Sequence, residues 1–164
     1  ANTTMKTVDP PIEKGLNLPS NTIVDPKLRY RSLIRALLWI ARCTRPDILV
    51  AIIYLARFSN CAAKIHWDAL IRVLRYLKTT IQTPFVLKAS DDTPKDKAKI
   101  TIITDSDWAH DIVDRKSFSG CCVVIDGALI NWITSKQPTV STSSTEAEYI
   151  SASDGCREGL YFRN

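Results

Sequence analysis

Apolar residues along the chain follow one period before about residue 80 and another after about residue 98. Residues 1–27 follow neither. Pro10, Pro11, Pro19 and Pro26 fall there among polar residues, which predicts an irregular lead-in. From Leu28 to Lys78 apolar positions recur every three or four residues, the signature of helices packed on one face. One helix is expected over residues 30–41, ending near Thr44, and a second over 47–58, with Pro46 as its first residue. A third is expected from about His66 to Lys78. There Trp67, Leu70, Ile71, Leu74 and Leu77 make one apolar stripe, and Arg72, Arg75 and Lys78 lie off it. That basic face reads as a solvated surface or, functionally, as a ridge that contacts phosphates.

The polar run 89–97, with Asp91, Asp92, Pro94 and Asp96, is expected to be a linker. Beyond it the period shortens to that of strands. Ile100, Ile102 and Ile103 predict a buried strand ending at Thr104 and Asp105. Residues 120–125 and 128–134 predict a hairpin, because Asp126-Gly127 is a favoured type I′ turn pair. A loop with Gln137, Pro138 and Thr139 follows, then a last helix from Thr145. Helices first and strands second make the class α+β: an N-terminal helical appendage, then an incomplete α/β unit of about three strands and a helix. The expected divisions are 1–27 lead-in, 28–88 helical region, 89–97 linker and 98–164 strand-rich domain.

Composition narrows this picture. Hydrophobic residues make up 45% of the 164, enough for a core, which excludes global disorder. The net charge of +5 permits contact with phosphates without demanding it. Cys43, Cys61, Cys121, Cys122 and Cys156 have no CxxC spacing, and adjacent Cys121 and Cys122 would face opposite sides of a strand. They read as free thiols of a sequence shaped in a reducing compartment. The most apolar window, 33–55, is interrupted by Arg35, Arg42, Arg45, Pro46 and Asp47, so no membrane span or membrane partner is expected. The first residue is alanine rather than methionine, so the expectation is a chain either processed, with a targeting segment removed, or excised from a longer one.

Two short acidic motifs carry candidate chemistry. Thr-Asp-Ser-Asp-Trp at 104–108 puts a carboxylate pair where a hydrophobic strand is expected to end. Such a pair needs a cation or hydrogen bonds to hold it, although a simple turn also favours these residues. Ser-Ser-Thr-Glu-Ala-Glu-Tyr at 143–149 opens the last helix, and both Ser143 with Glu146 and Thr145 with Glu148 match a capping box. Together Asp105 and Glu148 are candidates to reach one divalent ion, as two-metal phosphodiester chemistry requires.

Seven ordered motifs then carry a resemblance. They are Tyr-Arg-Ser-Leu-Ile at 30–34, Thr-Arg-Pro-Asp-Ile at 44–48, His66-Trp67, Arg-Val-Leu-Arg-Tyr-Leu-Lys at 72–78, Asp-Ser-Asp-Trp-Ala at 105–109, Lys-Gln-Pro-Thr-Val at 136–140 and Ser-Thr-Glu-Ala-Glu-Tyr-Ile at 144–150. In this order they resemble the Pol polyprotein of copia-type LTR retrotransposons over nearly the whole chain. Residues 1–80 look like the tail of its reverse transcriptase region and 98–164 like the start of its ribonuclease H domain. The resemblance implies a ribonuclease H-like strand unit, with an RNA–DNA hybrid as substrate and two Mg²⁺ ions held by four carboxylates. Asp105 matches the first carboxylate and Glu148 the second, whereas the positions of the third and fourth lie past Asn164. With half the ligands, no cofactor and no catalysis are expected of this chain; Mg²⁺ would bind only a completed site. Arg35 and His110 stand where the family has glycine. Trp108 and His110 are candidate nucleic-acid contacts, while Trp67 and Trp132 are expected to pack and His66 to be structural.

Arg72, Val73, Leu74 and Arg75 also read as R-x-L-R. This tetrapeptide resembles the host-targeting signature of secreted RxLR effectors of oomycete plant pathogens, among which some downy-mildew proteins resemble copia polyproteins. The sequence departs from that pattern: the tetrapeptide falls in a helical stretch, and Asp91 to Asp96 is a poor substitute for the acidic run that normally follows. Two functions are therefore implied. The first is a non-catalytic, copia-derived virulence protein, secreted and then acting in plant host cells on an unknown host protein to suppress defence or cell death. The alternative is a retrotransposon polyprotein fragment, cytoplasmic in the retrotransposon particle, that serves ribonuclease H activity with further sequence. The missing carboxylates tilt the reading toward the first. Self-association through an unpaired edge of the first strand is a further expectation.

Overall fold

The computed structural model describes residues 10–13, 16–88, 98–108 and 114–163. Residues 89–97, expected to be a linker, and His110 lie outside them. The chain divides into two units, Ala1–Phe85 and Val86–Asn164.

In the first unit, helix α1 (Tyr30–Cys43) buries Tyr30, Ile34, Leu37 and Ala41, a stripe with the helical repeat. The Tyr30 hydroxyl donates to the Leu55 carbonyl at 2.8 Å, and its burial pushes its acidity far from the ordinary phenol range, upward in pKa. Pro46–Ile48 forms a 3₁₀ turn, Leu49–Ala56 forms helix α2, and Arg57–Asn60 closes with another 3₁₀ turn. The single helix expected over 47–58 is thus shorter than expected, and side chains at each end explain why. Asp47 does not cap the helix, because Arg45 and the Tyr76 hydroxyl take its carboxylate. At the far end the Ser59 hydroxyl donates to the Ala56 carbonyl at 2.6 Å, competing with the helical ladder.

Helix α3 (Lys64–Thr79) buries His66, Leu70 and Val73, while Trp67, Ile71, Leu74 and Leu77 are half-buried. The buried stripe is therefore rotated from the expected one toward a polar residue. His66 is wholly enclosed yet satisfied. Its Nδ1 accepts from the Ala63 N–H at 3.1 Å, and with that acceptor role Nε2–H donates to the Pro19 carbonyl at 2.9 Å. Its ring lies 4.6 Å from that of Phe58. His66 is structural, as its hydrogen bonding requires. The described part of the lead-in has no helix or strand, but hydrogen bonds tie it to the rest of the unit. The Tyr54 hydroxyl donates to the Leu16 carbonyl at 2.7 Å, and the Asp25 N–H donates to the Ala62 carbonyl at 2.9 Å.

The second unit is an antiparallel sheet of β1 (Ile100–Asp107), β2 (Phe118–Ile125) and β3 (Ala128–Lys136) in that order, with helix α4 (Ser144–Arg163) against β1 and β2. The β2–β3 turn is the expected Asp126-Gly127 pair, with φ of 49° and 86°, and a type I′ turn needs both positive. Strand β1 runs on to Asp107 instead of ending at Asp105, because Phe118, Ser119 and Gly120 of β2 pair with its last three residues. Burial alternates along it: Ile102, Thr104 and Ser106 are half-buried, whereas Ile103, Asp105 and Asp107 are exposed. Ala147, Ser151 and Gly155 form the buried seam of α4. At Gly155 a Cβ would overlap the Thr104 methyl, and at Gly159 it would come within 3.1 Å of Ile102, so the two glycines let helix and strand approach closely. The architecture is α+β, as expected. Among the described residues no helix is long and apolar enough to cross a membrane.

Candidate functional site

Asp105 sits inside β1 opposite Gly120, with its side chain on the exposed positions of the strand. It does not occupy the strand-end turn that its sequence context allowed. Glu148 lies one turn into α4 and is also exposed. The helix start explains its freedom. The Glu146 N–H donates to the Ser143 hydroxyl at 3.1 Å, and the Glu146 carboxylate accepts from the Thr142 N–H at 2.6 Å and the Thr142 hydroxyl at 2.8 Å. Those two bonds, the backbone one foremost, hold Glu146 below the usual carboxylate range. Of the two capping pairs that the sequence permits, the structure uses Ser143 and Glu146, so Glu148 has no capping role.

The Ser151 hydroxyl donates to the carbonyl of Asp105 at 2.7 Å and lies 3.3 Å from that of Gly120. Ser151 is three residues past Glu148, so the backbone carrying Asp105 meets α4 within one turn of Glu148. Both Asp105 and Glu148 are exposed. Among the described residues no three His, Cys, Asp or Glu side chains gather to hold a metal ion. Two exposed carboxylates do not fit a two-ion centre: Mg²⁺ requires near-octahedral oxygen ligation and otherwise keeps its water. No step through a metal follows from this arrangement.

Gln137 was only a loop residue in the sequence, yet it organises the surroundings of the site. It is 2% exposed. Its Nε2 donates to the Ser119 hydroxyl at 2.9 Å and to the Ala147 carbonyl at 3.0 Å, while its Oε1 accepts from the Ser141 hydroxyl at 3.0 Å. One amide thus ties β2, the start of α4 and the loop before it. Only its position, between a strand and a proline, hinted at this. Trp108 joins the same loop, its indole N–H donating to the Ser141 carbonyl at 3.2 Å while its ring stays exposed. Trp67 and Trp132 are half-buried.

The R-V-L-R tetrapeptide lies in the middle of α3 and is helical. Arg72 departs from the expected solvated face: it is half-buried, its Nη1 is 3.0 Å from Glu13 Oε1, and its Nε is buried with no partner. Val73 is fully buried, Leu74 half-buried and Arg75 exposed. All five cysteines are free thiols, with Cys121 buried and Cys122 half-buried as strand alternation requires. Burial first, then the charge of Glu158, pushes the Cys121 thiol above its ordinary value, which keeps it in the unreactive form.

No protein-family profile matches the chain, and no solved structure matches it. Curated proteins do. The chain is 37% identical over 132 residues to secreted RxLR effector protein 161 of Plasmopara viticola, covering 80% of this chain and 89% of that protein. It is 36% identical over 137 residues to the retrovirus-related Pol polyprotein from transposon TNT 1-94 of Nicotiana tabacum, covering 84% of this chain and 10% of the polyprotein. It is 35% identical over 143 residues to the Pol polyprotein from transposon RE2 of Arabidopsis thaliana, covering 87% and 9%. The chain therefore spans about a tenth of the Pol polyproteins it matches. Both resemblances drawn from the motifs hold: the homologues include copia-type retrotransposon Pol polyproteins, and the chain belongs to the family of secreted RxLR effector protein 161.

Proposed function

We propose that this chain is a non-catalytic, copia-derived effector, secreted and acting in plant host cells on a host protein to suppress defence or cell death. The reading is carried by its likeness along 89% of the length of a relative named as a secreted RxLR effector. The test is expression in leaf cells challenged with a cell-death elicitor. The chain should reduce cell death, and Asp105→Asn with Glu148→Gln should reduce it equally. An inert chain, or activity lost with the carboxylates, overturns the proposal.

A second reading is favoured by the bond between Ser151 and the Asp105 carbonyl, which brings the β1 backbone that carries Asp105 within one turn of Glu148 on α4. In it, residues 98–164 are the opening part of a ribonuclease H-like domain that acts on RNA–DNA hybrids once other sequence supplies the remaining carboxylates. A labelled hybrid incubated in Mg²⁺ or Mn²⁺ with this chain joined to the remainder of a ribonuclease H domain tests that reading. Cutting abolished by Asp105→Asn supports it, and no cutting by the joined protein overturns it.

A further inference from the structure

We propose that Glu13 and residues 16–25 act as a detachable strap whose release frees Arg72 from its ion pair with Glu13, so that the R-V-L-R segment presents one arginine when the strap is closed and two when it is open. The consequence for targeting rests on the effector reading, but the strap itself does not.

Polar contacts do most of the holding. The Tyr54 hydroxyl donates to the Leu16 carbonyl at 2.7 Å and accepts from the Leu18 N–H at 3.4 Å. His66 Nε2 donates to the Pro19 carbonyl, the Thr22 hydroxyl to the Cys61 carbonyl, and the Asp25 N–H to the Ala62 carbonyl. Glu13 completes the set through its ion pair with Arg72. Apolar anchoring is slight. Among the described residues of the strap, Leu18 alone is a buried hydrophobic side chain, and Ile23 is 90% exposed.

Segments held in this way open without the rest of the unit. Hydrogen bonds exchange for bonds to water at small net cost, whereas burial of apolar surface is lost outright. The helices beneath have continuous buried stripes, so the strap belongs to the least stable part of the unit. Arg72 also favours opening. Its Nε is buried without an acceptor, and the carboxylate pairing it, Glu13, is 63% exposed, so release lets water satisfy both groups. Arg75 already faces solvent.

The full chain tests this directly. In Tyr54→Phe combined with Glu13→Gln, hydrogen exchange across residues 16–25 should rise by about tenfold, with that of α1 and α3 unchanged. Modification of Arg72 by phenylglyoxal, read by mass spectrometry against Arg75 as the internal standard, should rise with it. Glu13→Gln alone changes only an exposed side chain and should still increase Arg72 modification, which covers the case in which the double variant folds poorly. The proposal is overturned if strap exchange does not change, if α3 exchanges along with the strap, or if Arg72 in the unaltered chain reacts as readily as Arg75. Absence of any effect on plant cells would instead overturn the effector reading and leave the strap standing.

Discussion

Ser151 and Asp105 are joined side chain to backbone: the hydroxyl in the middle of α4 donates to the carbonyl of a β1 residue 46 positions earlier, at 2.7 Å. Ser151 is fully buried, and removing its hydroxyl takes a hydrogen-bond partner from the Asp105 carbonyl. Ser151→Ala should therefore lower unfolding free energy by about 1–3 kcal/mol, the range for leaving a buried partner unsatisfied. A urea midpoint equal to that of the unaltered chain would show that the bond is dispensable.

Gly155→Ala and Gly159→Ala form a contrasting pair. In both, alanine gains about 1 kcal/mol of helix propensity. At position 155 the new methyl overlaps Thr104 on a paired strand, and overpacking of this kind costs about 1–3 kcal/mol. At position 159 it meets only the Ile102 side chain, at 3.1 Å, which can turn away. Thermal melts should show Gly155→Ala less stable than the unaltered chain and Gly159→Ala equal to it or better. The reverse order would contradict the close approach of α4 to β1.

Gln137→Leu keeps much of the volume and removes every side-chain hydrogen bond of the residue. Ser119, Ser141 and the Ala147 carbonyl each lose a partner in a buried setting. A loss of about 1–3 kcal/mol is expected. Hydrogen exchange should also accelerate at the start of α4, because the amide fixes that end. Uniform loss across the unit would instead mean that Gln137 stabilises the sheet as a whole.

Much of the second unit could be read from local rules. Asp126-Gly127 between two alternating segments admits one compact turn, and the structure has it. The choice of capping pair could not be read in this way, because Ser143 with Glu146 and Thr145 with Glu148 obey the same rule. What selects the first is the seam of α4: Ala147, Ser151 and Gly155 must face β1, and that depends on contacts far along the chain. The extension of β1 through Asp107 was hidden for the same reason, since only the pairing with Phe118, Ser119 and Gly120 carries the strand past a motif that otherwise favours a turn. His66 and Gln137 were the least legible. A polar residue among apolar ones does not disclose its partner, and the Pro19 carbonyl that receives His66 lies 47 residues away.

Asp47 gives the pH response of the first unit. Burial alone would push its carboxyl up, but hydrogen bonds from Arg45 and Tyr76, with the Arg45 charge, outweigh that and hold it below the usual range. A carboxylate whose folded pKa is depressed contributes stability above its unfolded pKa and loses it as pH falls through the folded one. Asp47→Asn should therefore lower the melting temperature at neutral pH, with the difference shrinking toward zero at strongly acidic pH. A difference that stays constant with pH would assign the effect to packing rather than to the charge.

Val73 fills the core from within the R-V-L-R segment, and this sets a condition on any receptor that reads all four residues as an extended peptide. Such a receptor binds only the fraction of molecules in which α3 has opened, and its apparent affinity is divided by that fraction. Every 1.4 kcal/mol needed to open the helix weakens the interaction about tenfold. Under the effector reading, a receptor of that kind is expected to grip the tetrapeptide only while the chain is unfolded. Once the chain has folded, a partner meets Arg75 and the edge of Leu74 and cannot reach Val73.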